Sequence, residues 1–171
     1  MAMLGIGLIL LDAPCDAQLS AWWVTVRFSP QATYVEGIPV KELRPNWKRA
    51  SPLTEADLPA EAQNAGEGLR DHGFALSVTG DFDRRGYTEK ALVGVYETDS
   101  GELGHFLLLI APARGHPPKV KALFESGDGA GFSALTYREG RLRWWFCIQC
   151  GDGVSVVAGP NGFALADDVP D

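Results

Sequence analysis

Two segments of the chain carry apolar residues on both of their faces, and this limits where they can sit. Ala91 to Tyr96 (ALVGVY) and His105 to Ala111 (HFLLLIA) show no apolar/polar alternation. A strand with one wet face alternates, whereas a strand covered on both faces does not. Both segments are therefore expected as central strands. Asp99-Ser100-Gly101-Glu102 between them has turn chemistry, so the pair is expected as an antiparallel hairpin.

The rest of the chain extends this pattern. Phe74, Leu76 and Val78 alternate with Ala75, Ser77 and Thr79, and Val120, Ala122 and Phe124 alternate with Lys119 and Lys121. Gly127 to Gly131 is turn-like. Ser133 to Tyr137 and Leu142 to Ile148 flank the hairpin signal Glu139-Gly140, with Leu142, Trp144, Phe146 and Ile148 on one face. Val154 to Ala158 joins Phe163 to Leu165 through Gly159-Pro160-Asn161-Gly162. Nearer the start, Trp22 to Phe28 reads as a strand, and the stretch punctuated by Pro30, Pro39, Pro45 and Pro52 reads as surface loop. Thr54 with Asp57 three residues on is a helix-start signal, and Gly73 is a stop. Gly66 and Gly68 divide what lies between them into one or two short helices. The expected class is α+β: mostly antiparallel sheet, short helices near 54–72, and no complete propeller.

The length of 171 residues fits one domain, and five Trp and eight Phe exclude a disordered chain. A net charge of −7 works against nucleic acid or an anionic membrane and is compatible with a cationic partner. Leu4 to Leu11 (LGIGLILL) is apolar but too short to span a bilayer. Pro14 and the small residue Ala17 follow it, in the layout of a secretory leader, although no Lys or Arg precedes the apolar run. The reading is a leader over 1–17, a β-rich domain over 18–171, and a periplasmic or secreted location without an integral membrane span. Lipid attachment at Cys15 and a buried first strand are the alternatives.

Export would leave Cys147 and Cys150 in an oxidising compartment, where a disulfide is the default. Residues three apart on a straight strand lie about 10 Å from each other, while a disulfide needs Cα atoms within roughly 7 Å. The pair therefore demands a turn at Ile148-Gln149, and Gly151-Asp152-Gly153 follows at once. A redox-catalytic pair would sit at a helix start, whereas the residues after Cys150 suit a turn and a strand. Zinc needs four ligands, and His72, His105 and His116 have no ligand spacing.

One segment carries metal-like chemistry. In Gly80-Asp81-Phe82-Asp83-Arg84-Arg85-Gly86-Tyr87-Thr88-Glu89, acids hold the first, third and ninth places of a loop with Gly at the sixth. Tyr87 offers a carbonyl. Such spacing wraps oxygens around Ca²⁺. Over 74–96 the segment resembles the calcium loops of FG-GAP-type repeats, which implies weak Ca²⁺ binding by Asp81, Asp83, Tyr87 and Glu89. The fifth place departs from that pattern. Arg85 stands where an acid or amide is usual, and its guanidinium opposes a cation or replaces it through a salt bridge to Asp81 or Asp83. The overall order of leader, Pro-rich front, acidic loop, hairpins and cysteine corner is similar to that of short, uncharacterised exported bacterial proteins.

No nucleophile elbow, phosphate loop, dinucleotide fingerprint or His-Glu-x-x-His helix is present. Trp144-Trp145 sends one ring to each face of its strand, and the ring away from the core is a candidate binding surface. Three functions remain. The first is an exported binding or inhibitor-like module acting on a cationic protein in the cell envelope. The second is an accessory envelope domain without a dedicated ligand. The third is an enzyme with a pocket around His105, Asp81 or Glu97.

Overall fold

The computed structural model describes residues 21–63, 68–113, 115–151 and 153–167. The expected leader over 1–17 and Cys15 lie outside them. The expected hairpin of apolar strands is the centre of the fold. Strands β5 (Glu89–Thr98) and β6 (Leu103–Ala111) pair antiparallel from Lys90–Ile110 to Glu97–Leu103. β7 (Lys119–Ser126) adds to the far edge of β6. The other edge of β5 is shared end to end. β3 (Trp47–Pro52) pairs with its last residues and β4 (Ser77–Gly80) with its first.

A second sheet has the order β11-β10-β9-β8 and consists of two hairpins, β8 (Ala134–Arg138) with β9 (Arg141–Trp145) and β10 (Gly153–Gly159) with β11 (Gly162–Asp167). The turn between β8 and β9 is the expected Glu139-Gly140, with φ of 52° and 73°. Positive φ at both positions is what a two-residue turn matched to strand twist requires. The mostly antiparallel, sheet-rich α+β class is as expected, and the described strands close neither a barrel nor a propeller.

Period-2 geometry sorts the central hairpin into two cores. Ala91, Val93, Val95, Leu107 and Leu109 face the second sheet, where Leu135, Leu142 and Trp144 meet them. Leu92, Tyr96, Phe106, Leu108 and Ile110 face the other way, onto Val35, Ile38, Val40, Leu43 and Trp47. Those last residues belong to the Pro-rich front, which is therefore more ordered than a surface loop. It folds as a small hairpin, β1 (Tyr34–Val35) with β2 (Ile38–Pro39), then one helical turn α2 (Val40–Leu43), then β3. The cause is burial: the second face of β5 and β6 needs an apolar cover, and these residues supply it.

Trp22 to Phe28 also differs from expectation. Its first residues form one helical turn, α1 (Trp22–Thr25), and both tryptophans are buried. Adjacent residues of a strand point to opposite faces, whereas a helical turn packs both rings inward. Trp22 meets Phe132 edge-on at 5.1 Å. Among the described residues near 54–72 the helical structure is two 3₁₀ turns, Glu55–Asp57 and Ala60–Gln63. The first opens with the expected Thr54–Asp57 pair, Asp57 Oδ2 accepting from the Thr54 N–H at 2.8 Å.

Candidate functional site

The Asp81–Glu89 loop forms by satisfying its own backbone donors. Asp81 accepts from the N–H groups of Arg85 (2.9 Å) and Gly86 (2.8 Å), and Asp83 Oδ1 accepts from Arg85 N–H (3.2 Å). Gly86, at φ 81°, supplies the bend. Phe82 is buried edge-on against Tyr137 at 4.9 Å and anchors the loop to the second sheet. Glu89 opens β5 at 1% exposure, while Tyr87 is 74% exposed.

A cation from elsewhere in the chain sits at these carboxylates. Lys121 Nζ lies 3.2 Å from Asp83 Oδ2 and 3.2 Å from Glu89 Oε1. Arg85, which the sequence offered for this role, is farther off at 3.6 Å from Asp83. Lys121 reaches the loop because of a register shift. Leu109 pairs with Ala122 and Ile110 with Val120, so Lys121 is the extra residue of a β-bulge. Bulges re-aim side chains in this way. Partial desolvation pushes the Asp83 carboxyl upward, but Lys121, together with the Arg85 N–H and guanidinium, holds it below the ordinary aspartate value. The hydrogen bond to Asp83, and then the ion pair with Glu89, raise the Lys121 ammonium above its ordinary value. Among the described residues no group of three or more His, Cys, Asp or Glu is placed to hold a metal ion.

The cysteine corner is present. Cys147 and Cys150 are disulfide-bonded with Cα atoms 5.6 Å apart. β9 accordingly ends at Trp145, short of the expected Ile148. Cys150 donates its N–H to Cys147 Sγ at 2.9 Å. The chain closes only a short loop here, so replacing both cysteines with serine should lower the unfolding free energy by about 2 kcal/mol. Urea melts of the oxidised and doubly substituted proteins measure this, and equal midpoints would contradict it.

The two tryptophans of β9 diverge. Trp144 is 1% exposed and lies in the core. Trp145 is half-buried on the outer face, where it donates to Thr136 Oγ1 at 2.9 Å and carries the Arg143 guanidinium 4.2 Å above its ring. His105 stacks on Phe146 at 5.1 Å and meets Trp144 edge-on at 5.7 Å. Neither of its ring nitrogens completes a hydrogen bond of ordinary length and angle. Burial lowers its pKa, against the smaller opposing pull of Asp128 and the Gly129 backbone. A depressed histidine stabilises the fold above the unfolded-state pKa near 6.5. That stability falls as pH drops below this value, with a slope of up to about 1.4 kcal/mol per pH unit. Denaturation of wild type and His105→Phe from pH 7 to 5 should show the slope only in the former.

His105, Asp81 and Glu97 do not converge. Asp81 lies beside the Glu89 end of β5, and Glu97 lies about 26 Å along that strand. Glu97 is occupied by Lys48 (3.1 Å) and Arg49 (2.6 Å), which hold its carboxyl below the ordinary value. A bulge at Lys48 brings both cations to one acid.

That far end of the first sheet gathers further acids. Asp99 pairs with Lys41 and Glu125 with Arg44, each at 2.8 Å. Glu102 and Asp128 have no basic partner among the described residues. Each is oriented by a serine, Ser100 Oγ to Glu102 at 3.1 Å and Ser126 Oγ to Asp128 at 2.9 Å. Leu103 beside them is 42% exposed. Sequence reasoning passed over this group, whose only early sign was the polar turn Asp99 to Glu102. Neither models of protein families, nor curated proteins, nor solved structures give a match to this chain.

Proposed function

We propose that the chain is an exported binding module that holds a cationic protein partner in the cell envelope. The observation that carries this reading is the allocation of charge at one end of the first sheet. Asp99 and Glu125 each take one cation, Lys41 and Arg44, and Glu97 takes two, Lys48 and Arg49, while Glu102 and Asp128 take none among the described residues. In a chain of net charge −7 these two are exposed and have no basic partner among the described residues. Such carboxylates steer a positively charged partner and lose their pull as salt rises. The disulfide is compatible with an oxidising compartment.

The test is capture from an envelope extract on immobilised chain 18–171. The expected result is a basic protein retained at low ionic strength and eluted by salt. Recovery of no protein at low salt, or only of one that salt does not release, would overturn the reading.

A further inference from the structure

The Cys147–Cys150 bridge lies inside a connection that the strands already close. β9 and β10 pair from Leu142–Val156 to Trp145–Gly153, so the ladder holds this hairpin whether or not the sulfurs are joined. The bridge joins residues only three apart within it. Among the described residues, no backbone–backbone hydrogen bond outside the strands reaches 146–151. A cross-link stabilises a fold through the chain entropy it removes, and a loop this short removes little. By linkage the fold returns the same small stabilisation to the bridge. A bridge that the fold holds weakly is the reducible kind.

The two sulfurs are also unequal. Cys147 is 5% exposed. It lies between Phe146, whose ring stacks on His105 at 5.1 Å, and Ile148, which is buried in the core. Gln149, Cys150 and Gly151 are exposed. The Cys150 N–H donates to Cys147 Sγ at 2.9 Å and stabilises negative charge on that sulfur.

We propose, independently of the binding-module reading, that this bridge is a thiol–disulfide exchange site, opened by a protein dithiol that attacks Cys150. The incoming thiolate bonds to Cys150 Sγ, the Cys147–Cys150 bond breaks, and its electron pair leaves on Cys147 Sγ, which then takes a proton from water. The second thiolate of the reductant attacks its own first sulfur and releases Cys150 as a thiolate, which is protonated in turn. The reductant ends as a disulfide, and the chain has gained two electrons and two protons. Among the described residues no helix begins at either cysteine to lower a thiol pKa, so the chain is the party reduced and not an oxidoreductase. Reduction leaves Phe146 and Ile148 in the core and releases the exposed segment from Gln149 to Gly151.

The test is equilibration of the intact oxidised chain with glutathione buffers, quenched by alkylation and read by mass. The equilibrium constant for forming the bridge should be about thirtyfold larger in the folded chain than in urea, the fold-change that matches the loss expected of the double serine variant. Reduction should leave the far-ultraviolet circular dichroism unchanged and speed amide exchange only in the β9–β10 connection. Reduced thioredoxin lacking its second cysteine should form a mixed disulfide on Cys150, located by peptide mass. In single variants, Cys147→Ser should leave Cys150 alkylated about tenfold faster, or more, than Cys150→Ser leaves Cys147. A folded-to-unfolded ratio above about a hundredfold would make the bridge a structural staple and overturn the proposal. Reduction no faster than global unfolding, or a mixed disulfide on Cys147, would overturn it equally.

Discussion

Replacing Lys121 with methionine is expected to lower the unfolding free energy by about 3 kcal/mol at neutral pH. The loss comes from what remains. Glu89 is 1% exposed, and without the ammonium its charge has no counter-ion at 3.2 Å. The figure is set at the low end for orphaning a buried charge because Lys121 is itself 27% exposed and partly solvated. A double-mutant cycle with Glu89→Gln isolates the pair. The combined variant should regain most of the loss, since two neutral groups need no partner. If Lys121→Met alone melts like wild type, the ammonium does not organise this loop.

The ion pair also has a defined pH window. Asp83 is depressed below 3.8, so its contribution is full above that value and lost as pH falls through the lower folded pKa. Lys121 is raised above 10.5, so its contribution is full below that value and lost as pH rises through the higher folded pKa. With the ammonium already between the two carboxylates, calcium must displace it in order to bind. Melting temperatures in calcium and in chelator should therefore coincide for wild type.

The second large effect belongs to the other core. Phe106→Ala should cost about 3–5 kcal/mol. Phe106 is fully buried, lies 5.2 Å from the Trp47 ring, and occupies the space above Gly94. A Cβ at Gly94 would overlap both the Phe106 ring and the Ser51 carbonyl. Gly94→Ala alone should therefore destabilise by about 1–3 kcal/mol through overpacking. In the double variant the methyl enters space that the ring has left. The combined cost should fall short of the sum, though not to zero, because the Ser51 carbonyl stays in place. Additive losses in denaturant melts would mean that the two residues do not share that space.

Hairpins were the most legible part of the fold, because their signals are local. Glu139-Gly140 and Gly159 to Gly162 announce their turns, and the flanking residues alternate. The unbroken apolar character of β5 and β6 likewise announced burial on both faces. It did not say what would cover them. The cover came from Val35, Ile38, Val40 and Trp47, set among prolines that suggested loop, because tertiary burial outweighed local composition. Trp22-Trp23 misled for a related reason, since alternation over seven residues cannot weigh the gain from burying two adjacent indoles.

At the candidate sites, the loop acids were readable from spacing but their counter-ion was not. Lys121 looked like the wet face of an alternating strand, and only a one-residue bulge two strands away from β5 turns it toward Glu89. The acids at the far end of the first sheet come from β5 (Glu97), the following turn (Asp99, Glu102) and β7 (Glu125). Strand pairing gathers them at one end, and no linear motif records it. The cysteine pair, three residues apart, was legible because the geometry of a disulfide dictated the turn.

Export is the premise of the functional reading, and intact-mass analysis of the chain purified from its native host tests it most directly. The expected species has lost its first 17 residues, takes up no thiol reagent until reduced, and then takes up two equivalents. A chain that still begins at Met1 and carries free Cys147 and Cys150 would contradict that premise.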